Sequence, residues 1–370
     1  MRPVGRQARR ARTLAGQLRY KRTVYECLRC RRSHAPRDAE WNLRPGEGMT
    51  RRVVRKAGFA GAFQSFVAGS KTLEELAGLE VSAAEVARVA HAEGRALQAL
   101  QLARDEAYLQ PVSPDRPAPA PELQAERLVL QADATCVLTR AGEEHKSVYC
   151  AVGFDLRARG RDAGGRPFLA AKRYAACAGD MEEFGRRAKA LAYRLGMRKA
   201  RAVAFLGDGA RPLWHWAQEN LPRDTVLIQD FWHVCEHLAG LAHDLHGDAG
   251  AAEALERWKT WLRQSQLPRL LEELERERKS ARRAKRKRLD EELNYLRAAA
   301  DRMDYARYEA DGWPIGSGAI EGTCKHLVKE RFALTGARWR RDNIGDVLAL
   351  REAIFNDEWD PYWEDQPRAA

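Results

Sequence analysis

No stretch of 18 or more consecutive apolar residues occurs in the chain, so no membrane-spanning helix, and no membrane partner, is expected. The basic opening, MRPVGRQARRARTLAGQLRYKR, has no apolar core of the kind a secretory signal carries, so none is expected. Cysteine is scarce: Cys27, Cys30, Cys136, Cys150, Cys177, Cys235 and Cys324 are odd in number and dispersed. Such a set does not suit a disulfide framework and points to a reducing cytoplasm. Acidic charge is in deficit. Against 64 Lys and Arg stand 52 Asp and Glu, so the net charge is +12 at pH 7. That excess suggests a polyanionic partner, most simply nucleic acid held through its phosphates.

The 370 residues suffice for two or three domains with a substantial core. Residues 13–30, TLAGQLRYKRTVYECLRC, alternate polar with apolar or aromatic side chains, as a strand pair does. They end in Cys27-Leu-Arg-Cys30. The pair reads equally as two reduced thiols at a hairpin end or as half of a Zn²⁺ site, with His34 as a third candidate ligand; a structural zinc takes four. Residues 50–109 read as helices. Leu73, Leu76 and Leu79 form an apolar stripe, Gly78 marks a turn, and Ser82 starts a second helix carrying Val86 and Val89. This pattern fits a helix-turn-helix or an ordinary helical hairpin. Five prolines in QPVSPDRPAPAPEL, residues 110–123, predict an extended linker.

Beyond the linker the periodicity changes. Strands are expected at 127–139, 146–156 and 166–177, a helix at 181–196, a strand at 200–210, a helix at 211–221, and a strand passing into a helix at 225–238. That order describes an α/β domain with a mixed sheet. Residues 239–311 read as charged helices, strongly basic from Arg276 to Arg288; such a run is a solvated face or a contact for a DNA backbone.

Two acids stand out. Asp133 lies on an apolar strand in LQADATCV, and Asp208 ends another in AFLGDGARPLW. Unpaired carboxylates are expensive to bury, so a cation or hydrogen bonds must compensate. Glu321, in GWPIGSGAIEGTCKHLVKERF, is an acid near the start of an otherwise basic helix. By itself it complements the helix dipole; with the two aspartates it makes an oxygen-rich site suited to two Mg²⁺ or Mn²⁺ ions.

DATCV at Asp133, GDGARPLW at Asp208, DFWHVCEHL from Asp230, the stretch around Glu321, and TGARWRRDNIGDVLALREAIFNDEWDPYW together resemble DDE-type transposases of the ISKra group of bacterial insertion sequences, with a Mutator-like layout. The resemblance spans roughly residues 13–363. It implies an RNase H-like catalytic domain in which Asp133, Asp208 and Glu321 hold the metal, supported by Asp230 and His233 of an Asp-x-x-His motif. It also implies Lys325, Lys329, Arg331, Arg338 and Arg340 at DNA phosphates, with Gly316 and Gly318 permitting close backbone approach. The family often adds an upstream cysteine pair; no cysteine precedes Cys27 here. The implied organisation is a basic strand pair (1–45), a helical DNA-binding domain (46–109), a linker (110–124), a first catalytic part (125–238), a helical insertion (239–311) and C-terminal catalytic helices (312–370). The implied activity is metal-dependent cleavage at transposon ends and strand transfer into target DNA by a homodimer or higher oligomer, in the nucleoid-associated cytoplasm of a bacterium. The rival expectations are a structure-specific nuclease of the same fold and a silent DNA-binding descendant.

Overall fold

The computed structural model describes residues 1–40, 43 and 48–365. They form two compact units. The first comprises 1–104, 136–147 and 326–370; the second comprises 105–135 and 148–325.

The first unit opens with an antiparallel hairpin, β1 (Arg2–Thr13) and β2 (Gly16–Glu26), turning at Leu14 and Ala15. The short β3 (Ser33–His34) adds to β2. The strand pair therefore begins well before residue 13. Its first strand escaped the alternation test because only Ala11 of its residues is buried, so no hydrophobic period marks it. Beside it, α1 (Pro36–Glu40) presents Asp38, which pairs with Arg9 and Arg22 and accepts a 2.6 Å hydrogen bond from Tyr20 Oη. Burial, reinforced by the Asp38 carboxylate, pushes the Tyr20 hydroxyl up to about 12.

Helices α2 (Arg51–Phe63), α3 (Phe66–Ala77) and α4 (Ala83–Leu109) follow. Helix α3 stops at Gly78, which is left-handed at φ 60°. Helix α4 starts with a reciprocal box: Ser82 N donates to Glu85 Oε2 at 3.0 Å, and Glu85 N to Ser82 Oγ at 3.3 Å. Leu73, Leu79, Val86 and Val89 are buried, but Leu76 is 83% exposed and leaves the expected stripe.

In the second unit the proline-rich segment is pinned rather than free: Tyr108 Oη donates to Ala120 O at 2.7 Å, and Arg194 Nε to Glu122 Oε1 at 2.6 Å. The strands are β4 (Arg127–Val137), β5 (Lys146–Asp155), β6 (Arg159–Arg161), β7 (Pro167–Leu169), β8 (Arg173–Cys177), β9 (Ala202–Gly207) and β10 (Val226–Gln229). Five form a mixed sheet of order β10-β9-β4-β5-β8, with β9 parallel to both β4 and β10 and β8 antiparallel to β5. The expected strand 166–177 is split. Its first part pairs with β6 in a separate hairpin, and Ala171, at φ 52°, breaks the extended run. Helices α5 (Met181–Arg194) and α6 (Arg211–Asn220) cover the sheet through Phe184, Leu191, Trp214 and Trp216, packed against Leu128, Leu130 and Phe205.

Residues 239–311, expected to be helical, are largely so. Helix α7 (Phe231–Arg263) kinks at Gly247, and α8 (Leu267–Ser280), α9 (Arg283–Ala298) and α10 (Tyr305–Ala310) follow. Next come α11 (Gly318–Thr323), a π-helical segment (Cys324–Lys329) and α12 (Glu330–Phe332). The expected single helix is thus interrupted by a wider turn.

The last helices, α13 (Ile344–Phe355) and α14 (Trp359–Asp365), return to the first unit. Trp359, Tyr362 and Trp363 pack with Val53, Val54 and Ala57, and Tyr362 Oη donates to Glu93 Oε2 at 2.7 Å. Residues 326–370 are therefore grouped with the N-terminal helices rather than with the sheet. No helix among the described residues is long and apolar enough to cross a membrane.

Gly94 lies against α13, where an added Cβ would stand 2.6 Å from the carbonyl carbon of Asp346. Backbone cannot yield as a flexible side chain can. Gly94→Ala is expected to destabilise at the upper end of the roughly 1–3 kcal/mol usual for overpacking, read as a lowered urea midpoint at unchanged slope.

Candidate active site

The parallel register of β4 and β9 runs from Arg127↔Ala202 to Gln131↔Leu206. Two residues further along each strand it reaches Asp133 and Asp208. Asp208 lies one residue past the end of β9; continued at the same register, the two acids would stand level on neighbouring chain segments. Both are partly buried. Asp208 Oδ1 accepts from Ala210 N at 3.2 Å, which shapes the turn beyond β9.

Asp230, one residue beyond β10, is 1% exposed. Its backbone N donates to Gly207 O at 2.9 Å, next to Asp208. Its carboxylate caps α7, with Oδ1 accepting from Trp232 N at 2.7 Å and His233 N at 3.4 Å. Oδ2 accepts from both the backbone N, at 3.3 Å, and the hydroxyl of Ser317. The same hydroxyl lies 3.1 Å from Glu321 Oε1. Ser317 thus joins a fully buried aspartate to the exposed glutamate one helical turn on.

A second clamp comes from β4. Gln131 is 1% exposed; its Oε1 accepts from Ile320 N at 3.0 Å, and its Nε2 donates to Gly316 O at 3.4 Å. It anchors the start of α11 two residues before Asp133. Past Glu321, Cys324 is 4% exposed and its thiol points to Asp133 Oδ2 at 3.7 Å. Asp133 and the Glu321 helix are therefore tied from both ends. Gly316 is needed for contact with Trp232, whose Cδ1 would lie 2.8 Å from an added Cβ; Gly318 faces open space.

Gln131, Ser317 and Cys324 were not singled out from sequence. A glutamine within the apolar run RLVLQADATCV was the available signal for the first, and a serine between two glycines for the second. Tyr295 of α9 is another such residue. It accepts from Gln229 Nε2 at 3.1 Å, and its Cε2 is 3.5 Å from the Cβ position of Gly209. Burial, then the nearby Glu292, Asp208 and Asp230 carboxylates, raise its hydroxyl above the usual range.

His233 contributes its backbone to the cap. Its ring neighbours are Glu236, at 3.8 Å, and the His237 ring, at 4.9 Å between centroids. Lys325, Lys329, Arg338 and Arg340 are exposed. Arg331 corrects the expectation of a phosphate contact: it is 2% exposed, donates to Gly61 O at 3.0 Å and stacks on Phe66 and Trp339. Burial, followed by the neighbouring Arg351 charge, lowers its pKa to about 10. The shared face expected for Glu321, Lys325 and Lys329 does not run as an α-helix, because the π turn breaks the four-residue step at Cys324.

Cys27 and Cys30 flank a tight turn in which Arg31 N donates to Cys27 O at 2.9 Å and Arg31 sits at φ 60°. Backbone N–H groups of Cys30 and Arg29 hold the Cys27 thiol below its ordinary pKa. His34 lies opposite Tyr25 in the sheet. Two sulfur donors are half of what a structural zinc takes. Asp133, Asp208 and Glu321 offer oxygen donors alone, a set that fits a hard divalent ion that keeps much of its own water. Among the described residues no group of three or more His, Cys, Asp or Glu side chains is drawn together as a ready metal cage. No protein-family model and no curated protein matches this chain.

Two outcomes test this geometry. Ser317→Ala removes a buried donor from Asp230 and should cost about 1–3 kcal/mol in urea unfolding. Arg331→Gln should destabilise by more than about 1 kcal/mol, as loss of a buried bond to the backbone predicts, while Lys329→Gln should stay within about 0.5 kcal/mol, as an exposed change does.

Proposed function

We propose that this chain is a DDE-type transposase of the ISKra group, with an RNase H-like catalytic domain, that cleaves DNA at transposon ends and joins the freed 3′ end to target DNA. The observation that supports the reading is the link from the strand carrying Asp133 to the Glu321 helix, through Gln131 to Ile320 N and Cys324 to Asp133, with Asp208 just past the end of the neighbouring parallel strand. The strand order β10-β9-β4-β5-β8, with its parallel half at β4, β9 and β10, and the long helical insertion ahead of Glu321 also support it.

Asp133, Asp208 and Glu321 would hold Mg²⁺ or Mn²⁺, which supplies activation of the attacking oxygen and neutralises charge on the leaving oxygen. The protein's own work is positional. Ser317 and Gln131 fix the Glu321 helix against the strand ends, and Asp230 holds Ser317. Lys325 offers positive charge to a phosphodiester close to the acids; Lys329, Arg338 and Arg340 of the first unit are exposed cations able to meet a polyanion. In the first reaction a water oxygen bonds to phosphorus and the bridging 3′ oxygen departs with a proton. In the second, that 3′-hydroxyl bonds to a target phosphorus, and the target's own 3′ oxygen leaves. Neither reaction needs a covalent enzyme intermediate.

The test uses purified protein and a plasmid carrying the DNA that flanks its gene, with Mg²⁺, Mn²⁺ or chelator. Wild type should nick and join strands only with metal. Asp133→Asn, Asp208→Asn and Glu321→Gln should each fall to background while remaining folded. Hydrolysis without joining would favour a structure-specific nuclease. DNA binding without cleavage would favour a silent descendant. Cleavage surviving in Glu321→Gln would reduce that residue to a helix-dipole partner.

A further inference from the structure

The basic run from Arg276 to Arg288 becomes informative once its partners are known. Arg278 pairs with Asp290 and, at 3.5 Å, Glu275. Lys285 donates to Leu245 O at 2.8 Å, and Lys287 lies 3.8 Å from Glu291. Arg288 reaches Glu292 at 3.4 Å and Asp244 at 3.6 Å. Arg276 acts on Glu273. The cations left over are Lys279, Arg282, Arg283 and Arg286. All four are exposed, and none has an acidic partner among the described residues. They are contiguous in space because they flank the turn between α8 and α9.

This turn works against its own helix. Arg282 is the N-cap of α9, makes no side-chain cap, and is followed by a first turn without any acid. A helix N-terminus carries positive partial charge and favours anions. Arginine at the cap, with Arg283, Lys285 and Arg286 just inside, is the reverse of what helix stability selects. Uncompensated cations aimed away from the fold, at a helix end that itself attracts anions, suit a string of phosphates.

The other end of the same helix supplies a ruler. Tyr295 of α9 abuts Gly209, beside Asp208, and bonds Gln229, beside Asp230. Twelve residues separate Arg283 from Tyr295, which at 1.5 Å per residue is about 18 Å. B-form DNA rises 3.4 Å per base pair, so a duplex lying along α9 would cover about 5 base pairs over that span.

We propose that the tip of the helical insertion, formed by Lys279, Arg282, Arg283 and Arg286, is a sequence-independent clamp on duplex DNA, gripping the phosphate backbone about 5 base pairs to one side of the phosphodiester held at the acids. It rests on the functional reading above for the location of that phosphodiester. The clamp itself is a claim about binding.

The first measurement needs no catalysis. Fluorescence anisotropy of a labelled duplex, in chelator, is followed across a salt series for wild type and for the variant with all four residues changed to Gln. The slope of log affinity against log salt should weaken by about 3–4, at about 0.9 per lost phosphate contact. Changing Arg282, Arg283 and Arg286 to Lys should leave it nearly intact, because the term depends on charge. In a second series the duplex is shortened from one end toward the cleavage point. Wild-type affinity should drop once fewer than about 5 base pairs remain on that side, and the Gln variant should show no such step. An unchanged slope in a folded Gln variant overturns the proposal, as does an identical length dependence in both proteins. Retained DNA binding combined with loss of binding to phosphatidylserine vesicles also overturns it, in favour of a membrane surface. Failure of cleavage in Mg²⁺ with the salt effect present would instead count against the catalytic reading alone.

Discussion

The buried carboxylate of Asp230 is the constraint around which the second unit is organised. A charge 1% exposed is tolerable only when donors surround it. Asp230 finds them in two places far apart in sequence: the first turn of α7, and Ser317, 87 residues later. Phe231 N adds a 2.9 Å bond to Ile315 O beside them. The helical insertion therefore leaves and re-enters the fold at one point. The residue that requires those donors is also the one whose neighbour in space, through Ser317, is Glu321.

A different solution to polar burial serves the first unit. Arg331 and Arg351 are inside it with no acidic partner at bonding distance among the described residues; backbone carbonyls receive them instead, Gly61 O for Arg331, and Ala62 O and Leu327 O for Arg351. Phe63, Phe66, Phe355 and Trp339 lie under the guanidinium planes. Planar, weakly hydrated arginine suits such a mixed setting, where lysine would not. The carbonyls of Gly61 and Ala62 come from the end of α2, which needs acceptor partners in any case. The arginines thus tie the C-terminal segment to the N-terminal helices.

Charge is divided along the insertion. Cations with acid partners stitch α7, α8 and α9 to one another, while those at the start of α9 oppose its dipole. The distinction is invisible in composition, where all count equally toward the net +12. It separates charge used for folding from charge available to a partner.

Much of the sheet was legible because its strands are short apolar runs, several closing at Gly or Asp, and because α5 and α6 carry strong periodicity. Asp133, Asp208 and Glu321 stood out as acids in apolar or basic surroundings. The first strand of the N-terminal hairpin was not legible, since its side chains bury almost nothing. Nor was the split before β8, which depends on a left-handed alanine. The π turn at Cys324 has no signal in the local pattern, and the burial of Arg331 and the bonds of Gln131 and Ser317 arise from contacts between residues tens to hundreds of positions apart. The sequence by itself determined which residues can carry oxygen ligands and positive charge, and where most of the amphipathic helices and apolar strands lie, because those follow from side-chain chemistry and local period. Only the tertiary structure decided which acids share a level, which cations are neutralised and which arginine is core. Register, burial and ion pairing are properties of neighbours that the chain brings together only when it folds.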